Sequence, residues 1–484
     1  MTPIPSVSAA RLATLLATAP AGSGPGYLTL AHGLRELVGD GRLPIGTRLP
    51  SERALAAALG RGRATVTRAY DVLREQAYVE SRQGSGSVAR LPVSHAGRTD
   101  HLLVPRGSTE DSIDLTIATL PAPPGTAEAY RAAVEELPGY LLGTGYYPTG
   151  LPALRQAVAD RYTRRGLATS PSQVVVVAGA LAGLAVTAQV LTRPGDRVLV
   201  ESPTYPNPLS TLQARGVRLV ATAVDPGHGW DVDAVRQLAR APRMRAAYLI
   251  PDFHNPTGAL MPTGVRRELA EVLDAAGVTP VVDESMVDLA LDDDPVPAPF
   301  AVHSPGAFSI GSASKAFWGG LRIGWVRAPA DRVDAVAAAR LSLDLASPLL
   351  EQLALLEMLR DEEPIRRHHR GRVTASRAAL LGALGRELPD WRTVPGRGGL
   401  SVWCRLPAPL SSALSVAAER HGLYLAAGPS FAPEGGLERH VRLPHTLPGP
   451  VLEEAVRRLA RAWADAPAVA RRAGGSSGRS PVVA

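Results

Sequence analysis

The sequence predicts a mixed α/β protein in two parts, a small basic domain of helices with a β-hairpin and a much larger α/β domain. The chain of 484 residues is longer than one domain usually holds. Residues 24–91 combine helical spacing of apolar residues with two short β segments. From residue 170 onward, short β-branched runs alternate with amphipathic stretches, a pattern typical of a sheet that helices cover on both faces.

Positive charge is concentrated near the beginning of the chain. Residues 1–98 contain 12 Arg and 6 Asp or Glu, a net charge of +6, whereas the whole chain carries +7. A basic small domain beside a nearly neutral large one indicates a polyanionic partner. A basic face that serves only solubility is the alternative at this level.

Turn residues divide the basic domain into five elements. Ser51 suits the N-cap of a short second helix, and Gly60 and Gly62 separate that helix from a third. The predicted elements are three helices and two β segments, at 27–39, 52–59, 63–76, 78–82 and 87–91. This order is that of a winged helix-turn-helix, whose third helix lies in the DNA major groove.

The third helix carries polar side chains off its apolar face, and an arginine there can bond a guanine edge through two donors. Leu-Pro-Ser-Glu-Arg at 49–53, Arg-Ala-Thr-Val at 63–66 and Arg-Gln-Gly-Ser-Gly at 82–86 resemble GntR-type DNA-binding domains. The resemblance implies DNA contacts from Arg53, Arg63, Thr65, Thr67 and, at the wing, Gly84. Gly62 departs from the Ser or Thr that is common before this arginine. A helix-turn-helix used only for dimerisation is the alternative.

Composition sets the remaining boundaries. We expect a flexible linker at 92–112, a large domain at 113–465 and a disordered tail at 466–484, because Pro, Gly, Ser and charged residues dominate the linker and the tail. No apolar run reaches the length of a membrane span, and the single Cys404 cannot form an internal disulfide. We therefore expect a cytoplasmic protein without membrane contact.

Lys315 is the only lysine in the chain, although 52 residues are Lys or Arg. An arginine guanidinium stays protonated and cannot attack a carbonyl, whereas a lysine amine can be tuned to do so. Lys315 is therefore a candidate for imine chemistry. Taken alone, it is equally well explained as the chance survivor of an arginine-biased composition.

Seven strands are predicted in the large domain, at 174–178, 197–201, 218–221, 246–251, 279–283, 307–310 and 322–326. Ligands bind such sheets at the carboxyl ends of the strands. The candidate ligand-binding residues at or after these ends are Gly179, Ala180, Tyr205, Asn255, Asp283, Ser312, Lys315 and Arg322. Pyridoxal phosphate would use all of them, because it offers an aldehyde, a planar pyridinium ring, a phenolic oxygen and a phosphate. We expect no metal site.

The order of these residues resembles that of fold type I aminotransferases over about residues 115–465. The resemblance implies a smaller C-terminal α+β subdomain and a Schiff base between Lys315 and the cofactor. It implies that Asp283 pairs with the ring nitrogen, Asn255 with the phenolic oxygen, and that Tyr205 stacks on the ring. It also implies phosphate contacts from Ser312, Arg322 and the amides near Gly179 and Ala180.

Two further residues have roles implied by the same resemblance. Arg442 matches the arginine that grips an amino-acid carboxylate, and a surface arginine is its alternative. Tyr147, or its neighbour Tyr146, matches the tyrosine that reaches the phosphate of the partner subunit. Ser285 stands near the position where many aminotransferases have a tyrosine bonded to the phenolic oxygen. We expect this departure to reduce turnover more than cofactor binding.

A GntR-like domain joined to an aminotransferase-like domain resembles the MocR/PdxR class of bacterial transcription regulators. The resemblance implies a homodimer, often domain-swapped, that binds operator DNA and pyridoxal phosphate and responds to a small amino compound. An active aminotransferase with an accessory DNA-binding domain is the first alternative. A general nucleoid-binding protein is the second.

Overall fold

The computed structural model describes residues 6–17, 25–39, 42–43, 46–82, 86–90, 111–293 and 295–473. Gly84, residues 92–110 of the expected linker and residues 474–484 of the expected tail lie outside these ranges. The described residues form a mixed α/β structure with an N-terminal helical domain, which confirms the predicted fold class. None of the helices in these ranges is long and apolar enough to cross a bilayer.

The N-terminal domain, called the reader domain below, contains four helices and one hairpin. Its elements are α1 (Ala9–Ala17), α2 (Gly26–Gly39), α3 (Glu52–Leu59), α4 (Arg63–Glu75) and the antiparallel strands β1 (Val79–Arg82) and β2 (Gly86–Ala89). Helix α1 was not predicted. Its Leu12 and Leu15 are buried in the same core as Leu34, Val66 and Leu73, so this core extends before residue 24.

The ends of α3 and α4 explain how the helix-turn-helix is made. The Ser51 hydroxyl accepts a hydrogen bond from the Ala54 amide at 3.2 Å, the N-cap that the sequence predicts. Gly60 ends α3 at a φ of 60°, a conformation that glycine adopts without steric cost. Gly62 precedes α4 and provides no side-chain cap.

The large domain is built on an eight-stranded sheet in the order β4-β11-β10-β9-β8-β5-β6-β7. Its strands are β4 (Val174–Val177), β5 (Arg197–Ser202), β6 (Arg218–Asp225), β7 (Gly229–Trp230), β8 (Met244–Leu249), β9 (Thr279–Asp283), β10 (Phe308–Ser312) and β11 (Gly324–Arg327). The central pairs are parallel, and β11 and β7 run antiparallel to their neighbours. All seven predicted strands are present, and β7 is additional.

Helices cover both faces of this sheet. Along β4, Val174 and Val176 enter one core while Val175 and Val177 enter another, as the alternation of a strand requires. The same alternation divides the residues of β5 and β8 between two cores. The helices of the large domain are α5 (Thr126–Glu136), α6 (Pro152–Arg164), α7 (Ala180–Leu191), α8 (Pro206–Ala214), α9 (Val232–Ala239), α10 (Thr263–Ala275), α11 (Val333–Leu341) and α12 (Leu349–Arg360).

A second sheet forms a C-terminal subdomain in the order β12-β13-β15-β14-β3. Its strands are β3 (Ile113–Leu115), β12 (Arg392–Thr393), β13 (Ser401–Arg405), β14 (Leu423–Ala427) and β15 (His440–Pro444), and its helices are α13 (Glu363–Glu387), α14 (Ser411–Glu419) and α15 (Gly449–Ala473). Strand β3 pairs with β14 in parallel. The first described strand after the reader domain therefore belongs to the C-terminal subdomain and not to the eight-stranded sheet.

Helix α15 continues past the expected boundary at residue 465. Residues 466–473 are helical rather than disordered, and Ala466 and Val469 are buried in the core of the C-terminal subdomain. The apolar face of this helix continues into a segment that is rich in Arg, Gly and Ser. We had predicted a disordered tail there because of this composition. The boundary at 465 is therefore wrong.

Candidate functional site

Lys315 follows β10, on the π-helical turn Ser314–Trp318. Its Nζ donates a hydrogen bond to the Ala118 carbonyl at 2.9 Å. Burial is the main cause that lowers the pKa of Lys315 to about 8; the nearby Arg442 and Arg322 act in the same direction, and Asp283 opposes them. The amine is therefore partly deprotonated near neutral pH, which a carbonyl nucleophile requires.

Asp283 ends β9 with both carboxylate oxygens engaged. One accepts a hydrogen bond from the Tyr248 hydroxyl at 2.7 Å and the other from the Ser285 amide at 2.8 Å. These bonds fix the orientation of a carboxylate at the carboxyl end of the sheet. Tyr248 was not predicted as a site residue, because its partner Asp283 lies on a neighbouring strand and leaves no local signal in the run around residue 248.

Tyr205 precedes α8, at the end of the loop that follows β5. Its hydroxyl accepts a hydrogen bond from the Asn207 side chain at 2.8 Å. Burial raises the pKa of Tyr205 to about 12, so the phenol is neutral and its ring can stack on a planar ligand. The charges of Arg442, Asp283 and Arg322 also act on this hydroxyl, which places Tyr205 in the same cleft.

Gly179 and Arg322 form a cradle at the N-terminus of α7. Gly179 has a φ of 91°, and a Cβ there would lie 3.2 Å from the Arg322 guanidinium. Arg322 donates to the Ala178 carbonyl at 3.4 Å and itself adopts a left-handed φ of 52°. A helix N-terminus beside an arginine suits a phosphate group. Ala180 begins α7, and the Ser312 hydroxyl accepts from the Ser314 amide at 3.1 Å.

Asn255 has a buried side-chain oxygen without a hydrogen-bond partner, so this acceptor is open to a donor on a ligand. The preceding His254 is held by a buried network. Its Nδ1 lies 2.9 Å from the Thr257 hydroxyl and its Nε2 lies 3.3 Å from Glu201. Glu201 also accepts from the indole N–H of Trp230 at 2.5 Å. This network leaves no local signal in the sequence, because its members come from different strands and loops.

Arg442 is fully buried on β15, which contradicts its interpretation as a surface arginine. Its Nη2 donates to the Thr116 carbonyl, and its guanidinium lies 5.2 Å from the Phe431 ring centroid. Its Nε and Nη1 are buried and have no partner in the structure. Two buried donor nitrogens of this guanidinium are therefore open to an acceptor such as a carboxylate oxygen. Burial lowers the pKa of Arg442 to about 10.

Tyr147 is half-buried and packs edge-on against Tyr140, with 6.1 Å between the ring centroids. The neighbouring Tyr146 is 61% exposed. Tyr146 is therefore the more exposed of the two tyrosines, and Tyr147 is the one fixed by ring packing.

These residues fit pyridoxal phosphate. The cleft offers an amine, an oriented carboxylate, an aromatic ring, an open amide and a phosphate cradle, and an arginine with two open donors lies beside them. The cofactor would supply an electron sink for bonds next to an amino group. Across the described ranges, no cluster of His, Cys, Asp or Glu is suited to a metal ion.

Some of the predicted DNA-contacting residues are exposed on the reader domain, and one of them packs against a neighbouring helix. Arg53 and Arg63 are exposed, and Thr65 is half-exposed. Thr67 instead faces α3, where its hydroxyl donates to Glu52 at 2.7 Å. This bond occupies the hydroxyl proton of Thr67, and the predicted contact of Thr67 with DNA stays a prediction. Gly84, the predicted wing contact, lies outside the described residues.

Comparison with protein families divides the chain in the same way. Residues 128–459 match the family described as aminotransferase class I and II. Residues 26–88 match the family described as bacterial regulatory proteins, gntR family.

Two similar proteins match different shares of the chain. The chain is 32% identical to 2-aminoadipate transaminase of Thermus thermophilus, over 66% of this chain and 81% of that protein. It is 30% identical to the probable rhizopine catabolism regulatory protein MocR of Rhizobium meliloti, over 76% and 79%.

The structure agrees with these similarities. It matches α-aminoadipate aminotransferase from Thermus thermophilus, crystallised with N-(5'-phosphopyridoxyl)-L-leucine, at a TM-score of 0.68, covering 74% of this chain and 94% of that one. The chain therefore belongs to the class I and II aminotransferase family, whose cofactor is pyridoxal phosphate, and with its gntR-family domain it is a regulator of the MocR type.

Proposed function

We propose that this protein is a cytoplasmic homodimer that binds operator DNA through its reader domain and senses ligands at its pyridoxal phosphate site. The observation that carries this proposal is the presence, in one chain, of a gntR-family domain and a cofactor constellation with an open carboxylate clamp. An enzyme without a regulatory role would not need the gntR-family domain. A simple DNA-binding protein would not need the cofactor constellation.

In this proposal each cleft residue has one role. Lys315 holds the cofactor covalently, Asp283 pairs with its ring nitrogen, Asn255 with its phenolic oxygen, and Tyr205 stacks on its ring. Gly179, Ala180, Ser312 and Arg322 bind its phosphate. Arg442 binds the carboxylate of a small amino compound. Arg53, Arg63 and Thr65 contact DNA, and a further contact from Gly84 is an expectation from the sequence alone.

A short backbone segment, the strap (residues 116–118), offers a route from this site to the reader domain. The Ala118 carbonyl accepts from Lys315 and the Thr116 carbonyl accepts from Arg442. The strap directly follows β3, the first described element after the reader domain. Cofactor and effector compete with the strap for these two cations. Binding at the cleft therefore changes how the chain leading to the reader domain is held.

An exposed apolar surface supports the dimer. Leu141, Leu142 and Tyr146 are 67%, 101% and 61% exposed. Leu341, Leu343 and Leu345 form a second exposed group. Arg340 ties the second group to the chain two residues after Tyr146, because its Nη1 donates to the Pro148 carbonyl at 2.5 Å and to the Leu345 carbonyl at 3.4 Å. A patch of this kind is suited to a second copy of the chain, which would bring Tyr146 or Tyr147 to the partner's phosphate.

The proposal predicts thermodynamic coupling between cofactor and operator. We expect pyridoxal phosphate to change operator affinity by roughly 5- to 150-fold, which corresponds to about 1–3 kcal/mol. By linkage, operator DNA must change cofactor affinity by the same factor. Titrations of cofactor with and without a fragment of the protein's own upstream region test this. Superimposable curves would exclude the cofactor site as the sensor.

Transamination should be slow or absent with common amino acids. Arg442 and Lys315 can clamp a carboxylate and move a proton, but Ser285 cannot tune the phenolic oxygen as a tyrosine would. We expect a spectral change on adding an amino acid, with little keto acid released. Multiple turnover at a rate on the order of 1 per second or faster would favour the enzyme instead.

A further inference from the structure

A cavity of about 990 Å³ lies where the reader domain meets the rest of the chain, and we call it the junction cavity. One wall comes from the reader domain, with Arg11 and Arg42. A second comes from β6, β7 and α9, with Thr222 and Trp230. The third comes from the C-terminal sheet, with Trp403, Arg405 and His440. Its volume is in the range of sites that hold small organic ligands.

Contacts between the reader domain and the large domain frame the cavity. The Ser6 hydroxyl donates to the Gln237 side chain at 3.1 Å, and Arg11 lies 3.9 Å from Asp231. Glu36 and Arg439, both buried, form an ion pair beside it. The cavity therefore depends on the docked arrangement of the two domains, and a ligand inside it would contact both.

The cavity lining carries more positive than negative charge. Six arginines and four carboxylates line it. The carboxylates have partners of their own: Asp233 and Glu268 pair with Arg236, Asp231 caps α9, and Asp225 accepts from the Gly227 amide. Arg405 and Arg42 add to burial in lowering the pKa of His440 to about 3, so His440 is neutral in a positive surrounding. Such a surrounding favours an anion.

Two buried polar atoms in the lining lack partners. Thr222 is 1% exposed and its hydroxyl has no hydrogen bond, and His440 is 8% exposed and its Nδ1 has none. The His440 ring stacks on Trp403 with 5.2 Å between centroids. Buried polar atoms without partners are rare in folded proteins, and a bound ligand would satisfy both of these.

The cavity also adjoins residues that support the cofactor site. Trp230 donates to Glu201, which holds His254 beside Asn255. Trp403 packs edge-on against Phe431, over which Arg442 lies. His440 and Arg442 are two residues apart on β15 and so project from the same face of the C-terminal sheet.

We propose that the junction cavity is a second ligand site, distinct from the cofactor site, which binds a small organic anion bearing a carboxylate or phosphate group. The excess of arginines over carboxylates in the lining supplies the attraction, Thr222 and His440 supply hydrogen bonds, and Trp230 and Trp403 supply flat apolar walls. Because the ligand contacts both domains, its binding stabilises their docked arrangement.

The test uses the full chain with pyridoxal phosphate already bound, so that the cofactor's own phosphate site is filled. Tryptophan fluorescence is titrated with inorganic phosphate and, separately, with succinate, at constant ionic strength set by sodium chloride. We expect a saturable change with at least one probe, at one site per chain. The preferred probe distinguishes a phosphate ligand from a carboxylate ligand.

Arg42→Gln and Arg405→Gln should each weaken this binding at least tenfold. Arg218→Gln is the matched control, because Arg218 is exposed at the far end of β6 and outside the cavity lining. A melting temperature and a borohydride-reducible cofactor in each variant confirm that the fold and the cofactor site persist. The proposal is overturned by the absence of saturation with both probes, or by equal binding in Arg42→Gln, Arg405→Gln and Arg218→Gln. Neither result would affect the cofactor or DNA assignments.

Discussion

Replacing Lys315 by alanine should abolish covalent capture of pyridoxal phosphate. No other side-chain amine exists in the chain, so borohydride should fix the cofactor to wild-type protein at Lys315 and leave no side-chain adduct in the variant. Peptide mass mapping after reduction measures this directly. The cradle of Gly179 and Arg322 remains in Lys315→Ala, so some non-covalent cofactor binding should persist.

Lys315→Arg is the matched control, since it keeps a positive charge at the same position but cannot form an imine. A free primary amine added to Lys315→Ala should restore the absorbance of an imine that remains with the protein after gel filtration, which a merely misfolded variant would not show. In the wild-type apoprotein, the capture rate should rise as pH passes through about 8, because the amine is protonated below its pKa. An adduct of equal yield in Lys315→Ala would remove Lys315 from the site.

The fold was predictable because its signals are local. Each β-branched run of the large domain became a strand, and Ser51 caps α3 as its position indicates. Helix α1 was not predicted because its apolar stripe is short. Leu12 and Leu15 are identified as core residues only by their packing in the core of the reader domain. The end of α15 was missed for the same reason, since Ala466 and Val469 are stabilised by packing against the C-terminal subdomain.

The sequence predicted the residues expected to contact the cofactor, but not the groups that hold those residues in place. Residues such as Asp283 and Lys315 stand at strand ends, where chain order and residue type indicate their chemistry. Tyr248 and the strap carbonyls carry no such signal, because they reach the site through tertiary contacts with Asp283, Lys315 and Arg442. Backbone carbonyls in particular are independent of residue type and cannot be recognised in a sequence.

Thr67 shows the same limit in the reader domain. Helical spacing correctly placed it off the apolar face of α4, but spacing does not say whether a neighbouring helix covers that position. Glu52, in the first turn of α3, lies close enough to accept from Thr67 and to pair with Arg74 at 3.5 Å. Thr67 therefore joins two helices, and the exposed Arg63 becomes the stronger candidate for reading DNA.

Replacing Arg63 by alanine should remove specific operator binding. Arg63 stands in the first turn of α4, the end that enters the major groove in a helix-turn-helix, and its side chain is 72% exposed with only a 4.0 Å contact to Glu52. Losing one bidentate base contact costs about 1–3 kcal/mol, and a dimer loses two. The two losses together correspond to about 2–6 kcal/mol, so operator affinity should fall by roughly 30-fold to roughly 20,000-fold.

The matched control is Arg74→Ala, which removes the same charge from the last turn of α4, where Arg74 pairs with Asp71 and Glu52. Fluorescence anisotropy with operator and scrambled duplexes at one salt concentration separates the two cases. Arg63→Ala should lose the difference between the duplexes, because its contact is to a base, whereas Arg74→Ala should keep it. The reducible cofactor at Lys315 should be unchanged in both variants, since the two sites share no residue. Retention of operator specificity in Arg63→Ala would show that the N-terminal turn of α4 does not face the bases, and the reading surface would have to be sought elsewhere in the reader domain.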